Sequence, residues 1–96
     1  MTTFAVTYSY RDLPDVRAAA LAEHRAYLAD RAAAGQLLGA GAYAEGAPGA
    51  LLVFRTDGRA ELDTVLAGDP FTRVGLLEAV DVRVWGLTIG PWAPAA

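Results

Sequence analysis

Two residues of this chain have the chemistry to move a proton. His24 is its only histidine, and Asp69 is a carboxylate placed directly before a proline and an aromatic in "AGDPFTRVGL" (67–76). Imidazole titrates nearest neutrality of all side chains, and an adjacent carboxylate fixes its tautomer and favours the protonated ring. Each residue also has a plainer reading. His24 sits between Leu21 and Leu28 on one helical stripe, where a buried histidine can simply be satisfied by a backbone carbonyl. Glu23 and Asp30 diverge from it around the helix. Asp69 before Pro70 is a standard way to start a helical turn, with the carboxylate capping free N–H groups. The chemical reading requires the fold to bring the two together.

Other side chains could contact a substrate. Arg73 lies one turn from Asp69 and could hold an anion, or be a solvated surface arginine. Ser9, the only serine, would have to supply any Ser–His–Asp triad, and no nucleophile-elbow sequence surrounds it. Tyr8, Tyr10, Tyr27 and Phe71 either line a pocket or belong to the core. Arg73, Tyr8, Tyr27, Phe71 and Ser9 are therefore the candidate substrate contacts beside the catalytic candidates His24 and Asp69.

The absences are as informative. Without cysteine there is no disulfide, thiolate chemistry or Cys-based metal site. All eight basic residues are arginine, which removes Schiff-base chemistry and covalent pyridoxal phosphate. One histidine cannot build a multi-His metal centre, and no glycine-rich phosphate loop or flavin motif occurs. Chemistry without metal or cofactor is the expectation. A net charge of −3 with no basic cluster argues against nucleic acid. The charge-free stretch 32–44 is too short and glycine-rich to span a bilayer, and "MTTFAV" lacks the regions of a signal peptide. A cytoplasmic protein is expected.

The elements that must position these residues follow from periodicity. "TTFAVTYSY" (2–10) alternates as a first strand, with Phe4, Val6, Tyr8 and Tyr10 on one side. Pro14 and the acids Asp12 and Asp15 mark the start of a helix ending at Gly35, with Leu13, Leu21, His24 and Leu28 on its stripe and Val16 and Ala20 at the edge. "QLLGAGAY" (36–43) is a second strand and "EGAPG" (45–49) a turn. "ALLVFRT" (50–56) is a continuous apolar strand suited to cover on both faces. Residues 57–68 form a second helix, with Asp57 as N-cap, Leu62, Val65 and Leu66 inward and Gly68 its stop. A helical turn through "DPFTRVGL" precedes a last strand over 79–89, with Val80, Val82 and Val84 inward.

The order βαββαβ with right-handed crossovers gives one α+β domain over 1–96. It is ferredoxin-like: a four-stranded antiparallel sheet with both helices on one face. His24 and Asp69 then lie on the same face. Nothing in the chain is expected to cover the other face, although 54% of residues are hydrophobic and 20% charged, so a homodimer through that open face is expected. Trp92, in the proline-flanked tail, is exposed by this reading and could dock on a neighbouring subunit.

"HRAYLADRAAAGQLLGAG" (24–41) and "AGDPFTRVGLLEAVDVRVW" (67–85) together resemble the two signatures of the YciI-like family, small proteins of dimeric α/β-barrel type. The matching positions are His24, Tyr27 and Leu28, then Gly35, then Asp69, Pro70 and Phe71, then Gly75 and Leu76. The resemblance spans nearly the whole chain. It implies a His–Asp acid/base pair in a small cleft, with His24 transferring the proton and Asp69 orienting it. It also brings in a family member known as a dehydrochlorinase of a chlorinated hydroxyquinol. The chain departs at "GAGAY" (39–43), where many relatives have a Gly-Pro turn, and this bears on the cleft wall and the substrate. Three functions fit: a cofactor-independent enzyme of proton abstraction, elimination or isomerisation; a non-catalytic dimer binding a small ligand or a partner protein; and a cofactorless oxygenase with an enclosed apolar pocket.

Overall fold

The computed structural model describes residues 1–94. Along the chain run β1 (Thr2–Tyr10), α1 (Pro14–Ala33), β2 (Leu37–Ala42), β3 (Gly49–Thr56), α2 (Arg59–Gly68), α3 (Pro70–Arg73) and β4 (Leu77–Val84). The strands form one antiparallel sheet in the order β2-β3-β1-β4, so β1 and β3 are central, in the ferredoxin-like arrangement.

Each end of α1 has a local cause. Pro14 opens it, Asp15 stands in its first turn and Arg31 in its last, matching the helix dipole. At the C-terminus Gly35 takes φ +80°, and the Gln36 and Gly35 amides return to the Arg31 and Ala32 carbonyls, a Schellman closure. The core lies between the helices and one sheet face. Phe4, Val6, Tyr8 and Tyr10 of β1 meet Ala50, Leu52 and Phe54 of β3, with Leu28, Leu62, Val65, Phe71 and Leu76 closing over them.

Several expectations need correction. Asp57 does not cap α2. Gly58 holds that position at φ 140°, where glycine is favoured, with no side-chain cap. Instead Glu61 reaches back and accepts from the Asp57 N–H at 2.8 Å, and from the Gln36 amide at 2.8 Å. These two bonds hold the Glu61 carboxyl below the usual range. Gly68 ends α2 without a left-handed turn, since its φ is not positive. It is glycine because a β-carbon there would lie 2.6 Å from the Tyr27 hydroxyl oxygen. Leu13 is exposed rather than on the buried stripe, which holds Ala20, His24 and Leu28.

The last strand starts earlier and stops sooner than 79–89. A register shift at Ser9/Tyr10 lets Leu77 pair with Tyr10. Past Val84 one further bond, from the Trp85 N–H to the Thr3 carbonyl, follows before the chain leaves the sheet. Val80 and Val84 share the helix side with Tyr8 and Phe4, but at this edge no helix covers them and they remain exposed. The open face is not bare either. The tail crosses it, with the Trp92 indole against Gly39, where a β-carbon would meet the ring at 2.5 Å, and the Trp92 carbonyl accepting from Arg55. Trp92 thus docks on its own chain. No helix among the described residues is long and apolar enough to cross a membrane.

Candidate active site

The D-P-F joint builds one half of the site. Asp69 closes α2 and opens α3, with extended backbone (φ −64°, ψ 126°) and Pro70 following it at the first helical position. Its Oδ1 accepts the Phe71 N–H at 3.0 Å, the N-cap bond. The same oxygen lies 2.7 Å from His24 Nδ1, and Oδ2 accepts from the Tyr8 hydroxyl at 2.9 Å. Asp69 is only 1% exposed, so three donors replace the water an ionised carboxylate would otherwise keep. Burial first, and then the Asp69 charge, push the Tyr8 phenol far above its ordinary range, so Tyr8 stays a donor.

The other half is α1. His24 comes off its middle at 7% exposure and lies flat on Phe71, with ring centroids 3.7 Å apart and planes 4° from parallel. Phe71 is itself braced edge-on by Tyr10 at 5.6 Å. With Asp69 ionised, Nδ1 carries the proton and donates it. Nε2 has no hydrogen-bond partner among the described residues, and the ring lines a cleft of about 270 Å³. The floor of the cleft is Tyr10, Ala50 and Leu52 with the small residues Ala40–Ala42 of β2, and its wall is α1. A neutral imidazole fixed at one nitrogen and open at the other can take a proton from a bound molecule and return it elsewhere.

Placement of the remaining candidates is uneven. Tyr8 is fully buried behind Asp69 and does not line the cleft. Tyr27 donates to the Val65 carbonyl at 2.7 Å and covers Gly68, locking α1 onto α2. Arg73 is exposed on α3 and away from the cleft. Ser9 alternates with Tyr8 and Tyr10 onto the opposite face of the sheet, opposite Gly49 and Ala79, so no triad forms. Phe71 does line the cleft. Two charged lining residues went unpredicted, Arg17 and Arg25. Arg17 lies seven positions before His24, on the same helical stripe, so its periodicity could have found it. Its guanidinium rests over the Tyr10 ring, 4.7 Å from the centroid. Burial raises the Tyr10 phenol pKa, Arg17 opposes that rise and Asp69 adds to it.

The family model described as the YCII-related domain matches residues 1–86. Among solved structures, similarity is found to a 5-chloro-2-hydroxyhydroquinone dehydrochlorinase of Burkholderia phenoliruptrix, in complex with 2,5-dihydroxybenzoquinone. That match has 25% identity and a TM-score of 0.77, and covers 86% of this chain and 92% of that one. A protein from Agrobacterium tumefaciens aligns over 100% of both chains at 15% identity and TM-score 0.53. One from Mycobacterium tuberculosis aligns over 99% of this chain and 98% of that one, at 22% identity and TM-score 0.50. The last two bear on the fold alone. No curated protein sequence matches the chain.

Proposed function

The chain belongs to the YCII-related domain family, and on that premise we propose that it is a cofactor-independent enzyme of acid/base chemistry on a small molecule. The observation that carries this is the His24 ring, which lines a cleft, is held through Nδ1 by a buried carboxylate at 2.7 Å and has no partner for its other nitrogen among the described residues. Nε2 abstracts a proton from carbon or oxygen of the substrate, and the electron pair left behind moves into the substrate's π-system or expels a leaving group. The imidazolium formed is stabilised by Asp69 and gives its proton back, to a new position in an isomerisation or to solvent in an elimination. Asp69 acts as the positioning partner, and Tyr8 holds Asp69 in turn. The dehydrochlorination performed by the Burkholderia relative is one reaction of this type.

Size supports a single-ring substrate. An apolar cavity of roughly 150 Å³ accommodates benzene, so a cleft of about 270 Å³ has room for one ring with substituents. The test is solvent-deuterium exchange into a panel of hydroxylated one-ring compounds, including 2,5-dihydroxybenzoquinone, followed by NMR. His24→Gln should abolish the enzyme-dependent exchange, and Asp69→Asn should slow it roughly tenfold, the difference between a charged and a neutral hydrogen bond to the imidazolium. Equal exchange in wild-type and His24→Gln protein refutes the reading.

The working unit in this proposal is a homodimer formed through the open sheet face. Leu51 on that face is 41% exposed, and Ile89 beyond β4 is 88% exposed. Light scattering should report a dimer for the wild type and a monomer for Leu51→Glu. A monomeric wild type at micromolar concentration would exclude this assembly.

A further inference from the structure

We infer that the cleft selects small planar organic anions, with the guanidiniums of Arg17 and Arg25 reading the charge while His24 faces the ring. This rests on the acid/base reading of the same site and names its substrate class. Both arginines line the 270 Å³ cleft and also the groove of about 620 Å³ that adjoins it toward the start of α1, so they stand where the two meet. The chain carries a net charge of −3, yet the inner cleft presents two cations and no carboxylate in its lining. The one acid of the adjoining groove is Asp12. Asp69 is already committed to its three donors.

Arg17 is engaged only by the face of the Tyr10 ring, and no carboxylate balances the charge of either arginine among the described residues. Their neighbours one turn away on α1 are Leu13, Pro14, Ala20 and Leu21 for Arg17, and Leu21, Ala22, Leu28 and Ala29 for Arg25, none of them acidic. Arg17 is half-buried and held against Tyr10, so its guanidinium is ordered before a ligand arrives. Two unpaired cations at one small mouth repel a cationic ligand and give a neutral one nothing in exchange for desolvating them. A carboxylate or enolate satisfies their fork-shaped donors directly. The flat strip of Ala40, Gly41, Ala42 and Ala50 opposite α1 leaves room for a thin ring.

Benzoate and its neutral isostere benzamide are the probes, titrated by NMR into wild type, Arg17→Gln, Arg25→Gln, the double variant and Arg17→Lys. Benzoate should bind saturably at millimolar concentration, at least about tenfold tighter than benzamide. Each glutamine variant should weaken benzoate by roughly three- to tenfold and leave benzamide unchanged, with partial recovery in Arg17→Lys. Arg25 is exposed, so Arg25→Gln keeps the test decisive even if Arg17→Gln disturbs packing. Equal affinity for the two probes, absence of saturable benzoate binding, or full affinity in the folded double variant overturns the inference. His24→Gln separates the two claims. Arginine-dependent benzoate binding with wild-type exchange in His24→Gln sinks the acid/base reading and leaves the anion site standing. Exchange abolished by His24→Gln but untouched by the double variant does the reverse.

Discussion

Tyr8 and Asp69 should be energetically coupled, and a double-mutant cycle measures by how much. Asp69→Ala removes the N-cap of α3, about 1 kcal/mol, and orphans the Tyr8 hydroxyl inside a residue only 1% exposed. An unsatisfied buried donor costs about 1–3 kcal/mol. Relief of the carboxylate's own desolvation offsets part of this, so the absolute loss is less informative than the comparison. Tyr8→Phe alone takes one of three donors from a buried charge, about 1.5–3 kcal/mol for a hydrogen bond to an ionised group. In the double variant there is neither an orphaned hydroxyl nor an under-solvated carboxylate. Its loss should fall short of the sum of the singles by about 1.5–3 kcal/mol. Urea unfolding followed by far-UV circular dichroism, at one protein concentration because assembly is linked to stability, reads this directly. At a slope of roughly 1–2 kcal/mol/M, the shortfall displaces the midpoint from the additive expectation by about 0.75–3 M. Additivity within about 0.5 kcal/mol would mean the 2.9 Å contact carries no net energy, and the account of Asp69 as a carboxylate solvated by the protein would be wrong.

Two further outcomes follow from the same geometry. The phenols of Tyr8 and Tyr10 both titrate above their ordinary value; a group raised in the folded state contributes its full stability below the unfolded pKa of about 10 and loses it as pH rises through the folded value. Alkaline titration should therefore show Tyr8 phenolate absorbance, identified by difference from Tyr8→Phe, appearing together with loss of the dichroism signal, and ionisation of Tyr8 in a still-folded protein contradicts this. Ala50, at 5% exposure, is part of the cleft floor; Ala50→Leu should project its added methyl groups into the cavity, abolish benzoate binding and cost no more than an overpacked core site does, about 1–3 kcal/mol, and retained benzoate affinity would show that the ligand sits elsewhere.

Much of this architecture is written in short-range signals. Alternation in β1 and the proline and glycine that bracket α1 are local, and they were enough to place His24 and the Asp69 joint on one side of the sheet. The alternation that put Phe4, Val6, Tyr8 and Tyr10 together also assigns Ser9 to the far face, so its exclusion from the site was legible in the parity of the strand. Arg17 was legible in the same way, on the His24 stripe, but a charged residue at the edge of an apolar stripe is easily read as solvated. What was not legible depended on partners distant in sequence. Leu77 is drawn into β4 by the register shift at Ser9/Tyr10, Gly68 answers to Tyr27, and Glu61 rather than Asp57 satisfies the start of α2 through a bond shared with Gln36. The tail lying over Gly39 has no local signature at all.

Capping and chemistry appeared as rival roles for Asp69, yet the bonding makes them one. The cap bond to Phe71 and the bond to His24 fall on the same oxygen, Oδ1. The turn of helix that needs a cap therefore sets the carboxylate's rotamer, and that rotamer sets where the imidazole must lie. Phe71, whose N–H makes the cap bond, also supplies the ring on which His24 stacks. A pair held only by mutual attraction would have to lose the rotamer freedom of both side chains each time it formed. Here that loss is met on folding, by a proline, a cap and a stacked ring. A buried ionised aspartate costs stability unless its oxygens are filled, and in this fold the group that helps fill them is the histidine whose orientation the chemistry requires.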